Sequence, residues 1–300
     1  MATRSPANDP IVNAMSVDVE DYYHVSALAP VVPRADWPRM ESRVCANTAR
    51  LLSLFNEQAV RATFFVLGRV AERHPDLVRQ IAAGGHEIAS HGFDHRLVYD
   101  QTPDAFRDDI RRAKRLLEDL AGVPVVGYRA PSYSITNRSL WALDVLVEEG
   151  YEYDSSIFPI HHDRYGIPGS PRHAHVLSRE AGALVELPPS TVRIGSTNLP
   201  VAGGGYFRIL PYWWTRWGIA RVNQRERRPA IFYLHPWEID PGQPRFRPGL
   251  ASRFRHYYHL NKTEPRLKRL LRDFRFAPVR TILGASGLEG LVPSLAPRTT

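Results

Sequence analysis

The chain lacks the residues and segments that mark several common classes of protein. Its 300 residues include one cysteine, Cys45, which excludes an internal disulfide and a cysteine-rich zinc site. No apolar stretch approaches the length needed to cross a bilayer. The first ten residues contain Arg4 but lack the apolar segment of a secretory signal. These absences lead us to expect a cytoplasmic protein.

Three common catalytic motifs are also missing. The G-x-S-x-G elbow of many serine hydrolases does not occur. The glycines at 203–205 are not followed by the Lys-Ser or Lys-Thr of a phosphate-binding loop, so we do not expect nucleotide binding. His86 and Glu87 precede His91 with one residue too many for the H-E-x-x-H zinc helix.

Positive charge is in excess, with a formal net charge of +8, and much of the excess lies between residues 245 and 280. A solvated helix face with paired arginines explains such a run. The more specific alternatives are binding to an anionic polymer, to nucleic acid or to a membrane surface. No zinc finger, RNA-binding signature or aromatic-interleaved basic repeat is present, so we expect no nucleic-acid partner. Peripheral contact with a membrane through this basic region stays open.

Short apolar runs alternate with amphipathic stretches along most of the chain. This alternation predicts an α/β fold with a parallel sheet, either an α/β barrel or a doubly wound sheet. Thr102 is the expected N-cap of the longest helix. We predict strands at residues 11–19, 61–67, 87–90, 125–129, 151–155, 183–187 and 230–234, and helices at residues 41–55, 70–83, 103–120 and 139–149.

Two histidines and a cluster of acids follow predicted strands and suggest a metal site. His91 and His95 are four residues apart, and Asp18, Glu20 and Asp21 lie at the end of the first strand. Two histidines and one carboxylate are the composition of a hydrolytic metal site with a position left open for water. Asp18 and Glu20 face the same way in a strand, so one of them could bind metal while the other acts as a base.

Three further polar residues end predicted strands, where barrel enzymes place their active sites. Arg129 could hold a carboxylate by bidentate pairing, although a structural ion pair explains it equally well. His235 could be a general acid, and a buried histidine held by hydrogen bonds is an equal alternative. Asp154 is the third of these polar residues at strand ends.

Taken in order, these segments resemble the polysaccharide deacetylase family, the NodB-homology carbohydrate esterases. The resemblance covers residues 11–238, and its five motifs are weak singly but strong in order. Three segments look closest to the branch associated with exosortase and exopolysaccharide gene clusters. They are the sequence around Asp18, the Leu234–Glu238 block and the tail at residues 245–283. The motifs are similar to Ser16-Val17-Asp18-Val19-Glu20-Asp21, His91-Gly92-Phe93-Asp94-His95, Arg129-Ala130-Pro131-Ser132, Tyr153-Asp154-Ser155-Ser156 and Leu234-His235.

The resemblance implies a distorted (β/α) barrel, a divalent metal that is often zinc, and hydrolysis of N-acetyl groups on amino sugars. It implies a catalytic domain at residues 11–240, a C-terminal helical extension at 241–290, and flexible termini at 1–10 and 291–300. By resemblance, Asp18 is the general base, oriented by Arg129. His235 is the general acid with Asp154 as its partner. The metal ligands are His91, His95 and either Glu20 or Asp21. In the mechanism that we expect from the chemistry, the metal and a backbone N–H near Tyr133 stabilise the oxyanion.

The implied substrate is an amino-sugar polysaccharide or a lipid-linked oligosaccharide. Two other functions remain open. One is a related amidase that acts on a small amide, such as an allantoinase-like or formamide-releasing enzyme. The other is a non-catalytic protein that binds glycan or nucleic acid through its basic tail. The sequence leaves the polymer, the acyl group and the oligomeric state undetermined.

Overall fold

The structure of the protein, a computed structural model, describes residues 11–285. The expected termini at residues 1–10 and 291–300 lie outside that part. The strands are β1 Val12–Val19, β2 Thr63–Val66, β3 Glu87–Ser90, β4 Gly127–Tyr128, β5 Tyr153–Asp154, β6 His175–Arg179, β7 Gly182–Glu186, β8 Thr191–Ile194, β9 Thr197–Pro200, β10 Ile231–Leu234 and β11 Arg275–Ala277. The helices are α1 Val44–Glu57, α2 Gly68–Arg73, α3 Pro75–Ala83, α4 Pro103–Ala121, α5 Ala142–Glu148, α6 Gly204–Ile209, α7 Tyr212–Gln224, α8 Leu250–Tyr257, α9 Leu260–Asp273 and α10 Val279–Ala285.

The main sheet has the strand order β10-β1-β2-β3-β4-β5-β7-β6, with β11 pairing on β1. Every neighbouring pair from β10 to β7 is parallel, and only β6 runs antiparallel to β7. The carboxyl ends of the parallel strands therefore meet at one edge. The predicted α/β class is confirmed.

The two ends of this sheet approach each other without a continuous ladder between them among the described residues. The chain that leaves β7 reaches Ser190, whose backbone N–H donates to the carbonyl of Ile231 in β10 at 3.2 Å. The Ser190 hydroxyl also accepts from the N–H of Ile231 at 2.8 Å. These bonds bring the sheet round on itself, as the expected distorted barrel requires.

Helix boundaries follow local chemistry, and one expected helix is divided. The single helix predicted over residues 70–83 is wrong, because α2 ends at Arg73 and α3 begins at Pro75. Proline has no N–H to donate and disfavours helical backbone in the residue before it, so it starts a new helix. The helix expected from residue 41 begins at Val44 instead. The Thr102 hydroxyl caps α4 as predicted, accepting from Ala105 N–H.

The C-terminal region is built onto the sheet. Strand β11 adds to β1, and α9 buries Leu267, Leu270 and Leu271 in the main core. Helices α8, α9 and α10 agree with the expected helical extension, whereas β11 was not predicted. None of the helices in residues 11–285 has both the length and the apolar character that spanning a bilayer requires.

Gly127 offers a test of how closely neighbouring strands approach. A Cβ at this position of β4 would lie 2.0 Å from Cζ of Tyr153 on β5. The Tyr153 ring is fully buried, and its hydroxyl donates to Glu87 at 2.8 Å, so the ring has nowhere to move. We expect Gly127→Ala to lower the free energy of unfolding by about 1–3 kcal/mol in a denaturant titration.

Gly169→Ala is the matched control, because nothing lies within 4 Å of a Cβ built there. Equal stability of the two variants would contradict the packing described for β4 and β5.

Candidate active site

The candidate site lies at the carboxyl edge of the parallel sheet. Strand β1 delivers Asp18 and leads directly into Glu20, while β3 is followed by His91. Strands β4 and β10 are followed by Arg129 and His235. Because these strands are parallel and adjacent, residues far apart in sequence meet at one place.

Glu20, His91 and His95 form the closest cluster of possible metal ligands. One ligand atom from each lies within 4.8 Å of the others. The Glu20 carboxylate is 3.2 Å from Nε2 of His95 and 3.6 Å from Nε2 of His91. All three side chains are buried. Two imidazole nitrogens and one carboxylate oxygen make the donor set expected of a hydrolytic site.

The hydrogen bonding of this cluster fits a bound cation. Oε2 of Glu20, Nε2 of His91 and Nε2 of His95 are buried and have no hydrogen-bond partner. Buried polar atoms are normally paired, so three unpaired atoms that converge require an explanation. Nδ1 of His91 lies 2.7 Å from the Arg129 carbonyl, which can only accept a hydrogen bond. Nδ1 therefore carries the proton, which leaves the lone pair of Nε2 directed at the cluster.

Glu20 is ionised despite its burial. Burial alone would raise the pKa of this carboxyl, but His95, His235 and His91 around it hold the pKa well below its usual range. A buried negative charge ringed by imidazoles suits a cation.

Asp21 faces away from the histidines and caps a helix. Its carboxylate accepts from the Ser42 hydroxyl at 2.7 Å and from the N–H groups of Arg43 at 3.0 Å and Val44 at 3.3 Å. These bonds satisfy free N–H groups at the start of α1 and explain why that helix begins at Val44. Of the two acids left open by the sequence, the structure brings only Glu20 to the histidines.

Asp18 forms a buried ion pair with Arg129. The guanidinium donates to Oδ1 of Asp18 at 2.7 Å and to the Ser16 hydroxyl at 2.9 Å. It also donates to the carbonyl and the hydroxyl of Ser155 and stacks over the Phe65 ring at 4.1 Å. Burial opposes the charge on Arg129, but Asp18 outweighs it and raises the pKa of the guanidinium. Arg129 is 0% exposed, so its charge acts within the site and not at the protein surface.

His235 lies between two carboxylates and is held by a third. Its Nε2 is 3.2 Å from Oε1 of Glu20 and 3.8 Å from Oδ2 of Asp18. Its Nδ1–H donates to Oε1 of Glu238 at 2.5 Å. Although burial disfavours the charged ring, the bonds to Glu20 and Glu238 raise the pKa of His235 to about 10. The second oxygen of Glu238 accepts from Arg208 at 3.2 Å.

Asp154 contacts a different acid and does not pair with His235. It lies opposite Glu186 in the β5–β7 ladder and accepts from the Ser156 hydroxyl. Burial raises the pKa of Asp154 to about 6 and that of Glu186 well above its usual range. The Ser156 hydroxyl also accepts from the N–H of Ala130 at 2.7 Å. Asp154 therefore braces the backbone that follows Arg129, and Glu238 holds the place beside His235 that was expected for Asp154.

Sequence reasoning missed the part played by Glu238, although a signal was present. The residues after His235 form a short 3-10 helix, Pro236–Ile239. This turn places the Glu238 carboxylate beside the imidazole of His235, three residues earlier in the chain. The histidine and an acid at that spacing, after a buried strand, could have suggested the pair.

An aromatic pocket opens above these residues. This strand-end pocket has a volume of about 200 Å³, and Asp18, Glu20 and His235 line its floor. Its other lining residues include Tyr133, Tyr165, Tyr233, Trp237, Arg208 and Arg255. The N–H of Tyr133 itself donates to the Ala130 carbonyl at 3.0 Å, so an oxyanion donor near Tyr133 stays a prediction for a neighbouring N–H.

Two domain families match the chain. The family described as "Polysaccharide deacetylase" matches residues 40–153. A domain of unknown function, DUF3473, matches residues 155–284. His91, His95 and Arg129 fall in the first segment and His235 and Glu238 in the second, so the site draws on both.

Curated relatives match only part of the chain. A peptidoglycan deacetylase of Helicobacter pylori is 31% identical over 114 residues, 38% of this chain and 37% of the relative. A peptidoglycan-N-acetylglucosamine deacetylase of Bacillus cereus is 34% identical over 98 residues, 32% of this chain and 36% of the relative. The matched segment thus spans little more than a third of these relatives.

Solved structures match nearly the whole chain. A Mycobacterium smegmatis protein described as a polysaccharide deacetylase has a TM-score of 0.61 and 25% identity, with 99% of this chain and 97% of that chain covered. Puue allantoinase has a TM-score of 0.62 at 15% identity, with 93% and 90% covered, a likeness of fold alone. The matched segment, the related sequences and the shared fold agree: residues 40–153 match the polysaccharide deacetylase family, and residues 155–284 match DUF3473.

Proposed function

We propose that this protein is a metal-dependent hydrolase that removes N-acetyl groups from the amino sugars of a polysaccharide or its precursor. The observation that carries the proposal is the meeting of unpaired Glu20, His91 and His95 atoms beside an arginine-held carboxylate and a carboxylate-held histidine. A ligand set, a base and an acid at one site are what amide hydrolysis by water requires.

A divalent cation, which we propose is zinc, would be held by Glu20, His91 and His95. When bound there, it would polarise the acetamide carbonyl and lower the pKa of water toward about 7. The donor set of two imidazole nitrogens and one carboxylate leaves room for water and substrate. Asp21 is excluded from our proposed ligand set because four donor groups engage its carboxylate at the start of α1 and the neighbouring turn.

Asp18 takes the proton of the attacking water in the proposed reaction. One of its oxygens is fixed by Arg129, and the other faces Nε2 of His235 at 3.8 Å. His235 then gives the Nε2 proton to the nitrogen of the departing amine, while Nδ1–H stays bound to Glu238. We assign Asp154 a positioning role, through Ser156, for the backbone next to Arg129.

The proposed substrate class follows from the pocket and from the relatives. Tyr133, Tyr165 and Trp237 give the pocket an aromatic lining, which suits a sugar ring. The relatives are named for peptidoglycan and chitooligosaccharides. The resemblance to the exopolysaccharide branch leads us to propose a role in exopolysaccharide biosynthesis. We retain residues 11–240 as the proposed catalytic domain, whereas membrane contact and location in the cell stay predictions.

Acetate release from chitooligosaccharides tests the function directly. We expect the zinc-loaded protein to release acetate, and chelation of the metal or His91→Ala to reduce the rate by at least about a hundredfold. His173→Ala is the control, because His173 pairs with Glu226 outside the site. Turnover of small cyclic or linear amides without acetate release would favour the amidase instead. Full activity after metal removal would refute the proposal.

Glu238→Gln tests the support of the proposed acid. The amide still accepts from Nδ1 but carries no charge, so the pKa of His235 should fall. His235 acts as an acid only when protonated, and activity should therefore decline from a lower pH than in the wild type. We expect kcat to fall about tenfold or more while zinc affinity stays close to the wild-type value. The measurement is a pH–rate profile.

Glu264→Gln is the control, since Glu264 pairs with Arg50 and Lys268 on a surface helix. An unchanged profile in Glu238→Gln would exclude Glu238 from the reaction.

A further inference from the structure

Some of the basic residues near the C-terminus have structural partners. Arg266 donates to the carbonyls of Phe207, Arg208 and Leu210 at the end of α6. Lys268 pairs with Glu264. Part of the excess charge of this region is therefore engaged within the fold, and for the residues without such partners the position in the fold decides what they can bind.

Arg255 is one such residue, and it lies at the strand-end pocket. It belongs to α8, is exposed, and lines the pocket whose floor holds Asp18 and His235. Within residues 11–285, none of the ion pairs involves its guanidinium. An unpaired cation that lines a catalytic pocket differs from one on an open surface, because its field acts on a substrate bound in that pocket.

The backbone of Arg255 is tied to the catalytic residues. Arg208 donates to the carbonyl of Arg255 at 2.8 Å and to that of His256 at 2.9 Å. The same guanidinium pairs with Glu238, which holds His235. The end of α8 is therefore fixed relative to the proposed acid, and the Arg255 side chain starts from a defined position.

Several other residues that line the pocket are aromatic, among them Tyr165. The Tyr165 ring stacks on His162 with centroids 3.8 Å apart. Burial lowers the pKa of His162, Asp163 at 2.9 Å opposes that shift, and Arg255 acts in the same direction as burial. Asp18 and Glu20 on the floor are already engaged by Arg129 and His235. Among the cationic side chains that line the pocket, Arg208 pairs with Glu238, whereas Arg255 has no acidic partner within residues 11–285.

We propose that Arg255 binds an anionic group of the substrate, a sugar carboxylate or a phosphate, next to the amino sugar that is deacetylated. The planar guanidinium matches the two oxygens of either group. This inference rests on the proposed deacetylase function and narrows it to acidic amino-sugar polymers or phosphorylated precursors. A pocket of about 200 Å³ is small beside the roughly 300–1,000 Å³ of typical ligand sites, so adjacent groups must lie at its rim.

The test compares kcat/KM on three substrates with the zinc-loaded full chain. They are chitotetraose, a tetrasaccharide in which N-acetylglucosamine alternates with glucuronic acid, and N-acetylglucosamine 1-phosphate. Each is measured with the wild type, Arg255→Gln and Arg253→Gln. Arg253 is the matched control, because it is an exposed arginine on the same helix that does not line the pocket.

We expect the wild type to prefer one anionic substrate over chitotetraose by about tenfold, the worth of one charge-assisted contact. Arg255→Gln should abolish that ratio, and Arg253→Gln should keep it. The favoured anion then identifies a carboxylate or a phosphate. The proposal is overturned if the wild type shows no anionic preference, or if both variants alter the ratio equally.

Absence of turnover on every substrate would instead refute the deacetylase function. Equilibrium binding of the acidic tetrasaccharide and of the sugar phosphate then decides the question. Weakened binding in Arg255→Gln alone supports the anion site, and equal binding in both variants overturns it.

Discussion

Arg129 is a buried guanidinium that holds two parts of the site in one geometry. Its side chain fixes Asp18 at 2.7 Å, and its carbonyl accepts from Nδ1 of His91 at 2.7 Å. The first bond orients the proposed base, and the second leaves Nε2 of His91 with a lone pair for metal. A buried ion pair costs desolvation, and removing one partner of such a pair typically destabilises a protein by about 3–5 kcal/mol. The serines that accept from Arg129 offset that cost, and Asp154 braces the same backbone through Ser156.

A second chain of contacts joins the C-terminal region to the reaction. It runs from the imidazole of His235 through Glu238 to Arg208, and from Arg208 to the last carbonyls of α8. Glu238 and Arg208 are both almost completely buried, so the chain lies inside the protein. The region matched by DUF3473 therefore supplies both the proposed acid and its support. This arrangement explains how helices beyond the sheet influence the pocket.

The sequence predicts the parts of the site that depend on strand order. Parallel strands end at a common edge, and this places Asp18, His91, Arg129 and His235 together without knowledge of any contact. Strand alternation favoured Glu20 as the metal ligand. Asp21 turns away because its carboxylate accepts hydrogen bonds at the start of α1, which comes later in the chain. The partner of Asp154 depends on the β5–β7 register, and β11 depends on tertiary pairing, so neither was predictable from local pattern. The division of the predicted helix at Pro75 could have been predicted, because proline restricts the backbone of the residue before it.

The central claim is that Glu20, with His91 and His95, forms the metal centre. Competition titration against a chelator measures the zinc affinity of the wild type, Glu20→Gln and Asp21→Asn, with the fold checked by circular dichroism. Loss of a direct ligand should lower the affinity of Glu20→Gln by about a hundredfold or more. Asp21→Asn should bind zinc nearly as well as the wild type and lose stability instead, because its carboxylate caps α1. Retention of zinc by Glu20→Gln together with its loss in Asp21→Asn would contradict this metal centre.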